Sequence, residues 1–215
     1  MSKTILFFGG TGGLGSQTIN HLQESYSIQS VGSSTVDLRS EDQIHDYFQS
    51  KDRVEVLVLF SNYNYNSFLH KYTQYPHKLS HQLDVNIAGI TTCITECLPH
   101  MRRNNYGRII IASSVTVDRS VMGTGVYAAA KAYYENLVKT IAIENASKGI
   151  TANCIQLGYM DGGLTYTLSD TFLEETIQKI PANRLGTAKE IANTVDFLIK
   201  TEYVNGATIK LTGGL

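Results

Sequence analysis

The sequence predicts an α/β fold, a parallel β-sheet covered by helices on both faces. Three observations point to it. Short, nearly all-apolar runs recur, among them "KTILFF" (3–8), "VEVLVLF" (54–60) and "GRIIIAS" (107–113). Such runs suit strands buried on both sides. They alternate with helical stretches, which favours parallel pairing through crossovers. A glycine-dense turn, "FFGGTGGLGSQ", separates the first strand from the first helix.

Each element follows in order. After the strand at 3–8 comes an amphipathic helix over 14–25, then a strand "SIQSVG" (27–32). A polar turn and a helix over 40–50 lead to the strand at 54–60. The segment 61–77, "SNYNYNSFLHKYTQYPH", is the longest loop-like stretch, and it follows the carboxyl end of a strand, where ligands bind in such sheets. One long helix is expected over 78–103, a strand over 107–113 and a helix over 127–147. A strand "ITANCIQ" (150–156), helices over 169–179 and 187–200, and a last strand "ATIKLT" (207–212) complete the chain. Three prolines, no internal repeat and no low-complexity tract predict a single domain over 1–215.

Composition narrows the function classes. Hydrophobic residues make up 42%, charged residues 17%, and the net charge is -1. Nothing there attracts nucleic acid or an anionic membrane. No apolar run approaches the roughly 20 residues of a membrane helix. The start, "MSKTILFFGG", lacks the apolar core of a signal peptide, which predicts a cytoplasmic protein. Three cysteines suit a reducing compartment and are expected as small buried hydrophobes, with no metal site.

The glycines fit two spacings at once. Gly10, Gly12 and Gly15 make G-x-G-x-x-G, while Gly9, Gly13 and Gly15 make G-x-x-x-G-x-G. Placed between a strand and a helix, they permit a tight turn and close approach of a pyrophosphate to the helix N-terminus. The stretch "GVYAAAKAYYENL" (125–137) puts Tyr127 and Lys131 one helical turn apart. As a pair on a helix face they are unremarkable. Ser114 lies thirteen residues before Tyr127, at the end of "GRIIIASS", and Asn86 lies in "DVNIAG".

Taken in order, these motifs resemble those of the short-chain dehydrogenases/reductases, and within them the 3-oxoacyl-carrier-protein reductases. "IENASKGITANCIQLG", "IPANRLGTAKEIANTVDFLI" and the closing "LTGGL" extend the resemblance over nearly the whole chain. The resemblance implies a Rossmann-type doubly wound sheet and a nicotinamide dinucleotide. It implies Tyr127 as general acid/base, Lys131 as its tuner and ribose ligand, Ser114 on the substrate oxygen, and Asn86 holding a relay water. Electrostatics agree with those roles: an ammonium beside a phenol favours the phenolate and is expected to lower its pKa from about 10. The implied cofactor contacts are Gly9, Thr11, Gly12, Gly13, Leu14 and Gly15 in the turn. Further along they are Ser33, Ser34, Asp37, Leu38, Ser61, Asn62, Tyr127, Lys131, Gly158 and Met160.

Departures from the family pattern are equally specific. The family's N-N-A-G is replaced by "LFSN" (59–62), its Pro-Gly by "LG" (157–158), and the expected threonine by Gly162. "MDGGLTYTLSD" (160–170) predicts a flexible loop over the substrate. The chain runs from the second strand almost directly to Asp37, which predicts a fold shortened between strands two and three. The tip of the second strand carries Ser33 and Ser34, with Arg39 or Lys51 as unplaced charge partners. This favours NADP(H) over NAD(H), unless Asp37 takes the place of the acid that holds a ribose 2′-hydroxyl.

The implied substrate is a small-molecule or carrier-bound carbonyl. Lys148, Arg102 and Arg103 are candidate contacts to an acidic carrier. The helices over 86–103 and 127–147 resemble those that pair in a homodimer or homotetramer. Two other functions stay open at the sequence level: a non-catalytic dinucleotide-binding sensor or scaffold, and an isomerase or dehydratase that oxidises its cofactor only transiently.

Overall fold

In a computed structural model, residues 3–215 are described. Six strands form one wholly parallel sheet: β1 (Thr4–Phe8), β2 (Ser27–Val31), β3 (Val56–Leu59), β4 (Gly107–Ser114), β5 (Ile150–Leu157) and β6 (Thr208–Leu211). Their spatial order is β2-β1-β3-β4-β5-β6. The chain steps outward from β1 to β2, then returns across to β3. That reversal creates a crevice at the carboxyl ends of β1 and β3, the topological switch point where ligands bind. Strand β2 forms one edge of the sheet and β6 the other.

Helices cover both faces. On one face lie α2 (Glu41–Gln49), α4 (Ile90–Asn104) and α5 (Gly125–Asn145). They bury Ile44, Phe48, Cys93, Met101 and Val138 against Leu6, Phe8, Leu57 and Ile109. On the other lie α1 (Gly13–Leu22) and α7 (Ala188–Lys200), packing Leu22, Ile191 and Val195 on Ile5, Phe7, Val56 and Ile110. Alternate residues of one strand therefore serve opposite layers, as the pleat requires. All three cysteines are buried and free.

Local chemistry sets the ends of the helices. Ser40 caps α2 by accepting from Gln43 N–H, and Thr187 with Glu190 forms a reciprocal capping box at α7. Arg108 is 1% exposed, and its guanidinium donates to the carbonyls of Gly107, Gly149 and Ile199 and to Glu202. It thereby ties the start of β4 to the end of α7.

The expected long helix over 78–103 is three pieces. Helix α3 (Pro76–Leu83) leads into a π-helical turn over Asp84–Gly89, and α4 follows. Periodicity does not register a single widened turn. At the end of the turn a Cβ on Gly89 would come within 2.1 Å of the Leu38 carbonyl oxygen, so backbone meets backbone there. Two further helical segments precede the last strand, a 3₁₀ turn over Gly163–Thr167 and α6 (Asp170–Lys179). No helix among the described residues is long and apolar enough to cross a membrane.

Candidate active site

The crevice opens into a cavity of about 820 Å³. Its floor is the turn between β1 and α1. Gly9 has φ +85°, and a Cβ on Gly15 would stand 2.2 Å from the Gly9 carbonyl oxygen, so the turn folds back on itself only with glycine at both places. Gly12 and Gly13 differ from these. An added Cβ would meet only the Gly9 oxygen at 3.4 Å in the first case, and the Gly163 backbone at 3.6 Å in the second. The protein itself leaves room there, and a cradle kept open this way suits a ligand pressed against the backbone. Helix α1 starts at this point with no acidic residue in its first turn, leaving its N-terminus free for an anion.

Different segments wall the two ends of the cavity. At one end stand Val36, Asp37, Leu38 and Arg39, and at the other Ser114, Tyr127 and Lys131. Ser61, Asn62 and Tyr63, which follow β3, line it between them. Asn62 Oδ1 is buried without a hydrogen-bond partner, an acceptor available to a bound molecule. Open glycines, a bare helix N-terminus and an unpaired amide oxygen together fit an elongated dinucleotide.

At the far end, β4 and α5 bring the reactive groups together. Ser114 Oγ accepts from Thr116 N–H and is hydrogen-bonded to the Thr116 hydroxyl. Lys131 is 3% exposed. Its Nζ donates to the Ala112 carbonyl at 3.0 Å and lies 5.4 Å from the centre of the Tyr127 ring. Burial pulls the Lys131 pKa down to about 8. Burial also raises the Tyr127 pKa, against a hydrogen bond from Ser114 that lowers it. The expected lowering of the Tyr127 pKa is thus reversed in the free protein, because desolvation of a phenolate outweighs the hydrogen bond.

The family profile described as enoyl-(acyl carrier protein) reductase matches residues 11–215. The chain belongs to the short-chain dehydrogenases/reductases. Similar proteins include the 3-oxoacyl-[acyl-carrier-protein] reductase FabG of Staphylococcus epidermidis, 38% identical over 135 residues, which are 62% of this chain and 55% of that protein. FabG of Staphylococcus aureus is 39% identical over the same shares. The match thus spans about half the length of these relatives. The 3-oxoacyl-[acyl-carrier-protein] reductase MabA of Mycobacterium tuberculosis is 28% identical over 100% of this chain and 93% of its own.

In this short-chain dehydrogenase/reductase most of the residues singled out from sequence reach the cavity wall. Gly9, Thr11, Gly12, Leu14, Gly15, Ser33, Asp37, Leu38, Ser61, Asn62, Gly158 and Met160 all line it, as do Ser114, Tyr127 and Lys131. Three do not. Gly13 packs towards Gly163, and Ser34 is exposed one residue beyond the wall. Asn86 is fully buried behind the wall, within the π-helical turn. Its Oδ1 accepts from Tyr63 N–H and its Nδ2 donates to Tyr63 carbonyl, each at 2.8 Å, so it holds the wall in place. Its own carbonyl accepts from the Tyr134 hydroxyl.

The two unplaced cations separate. Arg39 lines the cavity, and its guanidinium grips both oxygens of Asp37, whose pKa falls to about 2. Lys51 lies over the Tyr47 ring instead. The segment 160–170 carries regular structure. Met160 bridges to Gly186, and the 3₁₀ turn sets Gly163 against Leu14. Sequence reasoning missed His81, whose ring stacks on Tyr63 at 3.9 Å and shares the wall. It also missed Gly32, where a Cβ would strike Thr11 Oγ1 at 2.2 Å. Only the "VGS" after β2 hinted at Gly32, and no local pattern marked His81.

Proposed function

We propose that this protein is a nicotinamide-dinucleotide-dependent oxidoreductase that interconverts a ketone and a secondary alcohol, working chiefly as a carbonyl reductase. One observation carries the proposal: Ser114, Tyr127 and Lys131 converge at one end of a cavity whose floor is a ligand-ready glycine turn. The backbone of Thr11 and Gly12 and the start of α1 would hold the pyrophosphate, with Ser61 and Asn62 beside the adenosine. When bound, the nicotinamide supplies the hydride. The chain supplies the rest. Tyr127, a phenol at neutral pH, donates a proton to the carbonyl oxygen. Ser114 hydrogen-bonds that oxygen as charge develops on it. Lys131 sets the charge beside the phenol.

NADPH is the preferred cofactor in this reading. Asp37 is neutralised by Arg39, and Arg39 and Ser33 present a cation and a hydroxyl to the cavity. A ribose 2′-phosphate suits both groups, whereas the engaged Asp37 has less to offer a 2′-hydroxyl. The substrate class follows the relatives named as 3-oxoacyl-carrier-protein reductases. Exposed apolar side chains, Phe68, Leu69, Met122 and Leu164, come from the segments that follow β3, β4 and β5 and suit an acyl chain. We place the protein in the cytoplasm as a homodimer or homotetramer. The test is turnover of 3-oxoacyl thioesters with NADPH: Tyr127→Phe is expected to abolish it while NADPH still binds. Full activity in that variant would sink the assignment.

A further inference from the structure

Helix α5 aims a third side chain at the same spot. Tyr134 lies one turn beyond Lys131 and is 1% exposed, within the core beside Val138 and Cys154. A leucine would fill that position without a hydroxyl to satisfy. Burying a phenol hydroxyl is costly unless it is hydrogen-bonded, and here it donates to the Asn86 carbonyl in the π-helical turn. The ring does something else. Its centre is 5.1 Å from Lys131 Nζ, and that of Tyr127 is 5.4 Å from the same nitrogen. The ammonium stands near two aromatic rings, and ring electrons offset part of what it loses by leaving water.

We infer that Tyr134 is a positioning residue of the active site: its ring holds the Lys131 ammonium beside Tyr127, and its hydroxyl locks that ring to the Asn86 turn. The clasp extends further, since the Asn86 side chain holds the Tyr63 backbone of the cavity wall. The inference rests on reading Tyr127 and Lys131 as the catalytic pair. The other groups facing the ammonium are the Cys154 thiol of β5, kept neutral by burial, and the Ala112 carbonyl of β4. Glu135, next along α5, is engaged by Ser113 and Gln156.

Two variants separate ring from hydroxyl. Tyr134→Phe keeps the ring and frees the Asn86 carbonyl, whereas Tyr134→Leu removes both. The first readout needs no dinucleotide: NMR titration of labelled lysine in the free protein, with the Lys131 signal assigned through Lys131→Met. The Lys131 midpoint is expected to fall in Tyr134→Leu and to fall less in Tyr134→Phe. The second readout is the pH profile of carbonyl reduction. Its upper limb should move to lower pH in the same order, with a loss of kcat of roughly tenfold in Tyr134→Leu and little change in KM. If Tyr134→Leu does not fold, Tyr134→Met takes its place. Folded variants with the wild-type Lys131 titration and pH profile would reduce Tyr134 to core filling and overturn the inference. Tyr127→Phe, run in parallel, keeps the two readings apart. An active Tyr127→Phe enzyme removes the catalytic pair itself. An inactive one beside unaltered Tyr134 variants overturns only the positioning role.

Discussion

Lys131 shows what the site costs. It is a buried cation whose pKa is pulled from 10.5 to about 8, so the folded chain holds this proton less tightly than the unfolded chain does. A lysine with a lowered folded-state pKa destabilises the protein below that pKa, and the penalty disappears as pH rises towards the unfolded value. Lys131→Met is therefore expected to raise stability at pH 7 by on the order of 3 kcal/mol. The gain should shrink between pH 8 and 10.5, which denaturant melts at several pH values would show. A gain independent of pH would mean that the lysine is not strained. The same titration predicts a pH dependence of catalysis. Reduction should be fastest near neutrality and decline as pH rises through about 8, where Lys131 loses its charge. A reduction rate that climbs through this range would contradict the role given to Lys131. Arg108 is the opposite kind of buried cation, with every donor group engaged. Arg108→Ala should cost about 3 kcal/mol by orphaning carbonyls at the start of β4, with substrate affinity untouched.

Among elements, the turn between β1 and α1 divides its glycines by purpose. Gly15 is required by the protein, since any Cβ would collide with the Gly9 carbonyl. Gly12 is not required by the protein. Gly15→Ala should therefore lose stability, whereas Gly12→Ala should keep its melting temperature and weaken dinucleotide binding by tenfold or more, about 1.4 kcal/mol. Equal dinucleotide affinity in Gly12→Ala would mean that no ligand presses on this turn. The same scale shows what could be read in advance. Apolar runs marked every strand to within two residues, because strands buried on both faces need continuous hydrophobicity. The ordered glycines, Ser114, Tyr127 and Lys131 marked the floor and one end of the cavity. The π-helical turn escaped, since a single widened turn leaves the helical pattern of side chains on either side intact. With it escaped the true place of Asn86 and the use of Tyr134, which looks in sequence like one more aromatic residue. His81 reaches the wall only through tertiary packing, which no spacing encodes.

For the whole molecule, six parallel strands with one reversal put the glycine turn, the Asp37–Arg39 pair and the Tyr127–Lys131 helix around one crevice. Strand β2 is an edge strand, and Arg39, which follows it in the chain, lines the cavity with its side chain half exposed. Helix α5 also presents exposed Ala129, Ala132 and Ile143 on its outer face, which suits pairing with a second copy. Light scattering is expected to give a dimer or tetramer, and a monomer at micromolar concentration would remove that expectation. If this crevice holds a nicotinamide dinucleotide, a fluorescence titration of the purified protein with NADPH, and with NADH in parallel, will detect it. Saturable binding of both is expected, tighter for NADPH, with the preference lost in Arg39→Ala. Binding of neither by folded protein would contradict this expectation and favour a chain that keeps the dinucleotide fold without the chemistry.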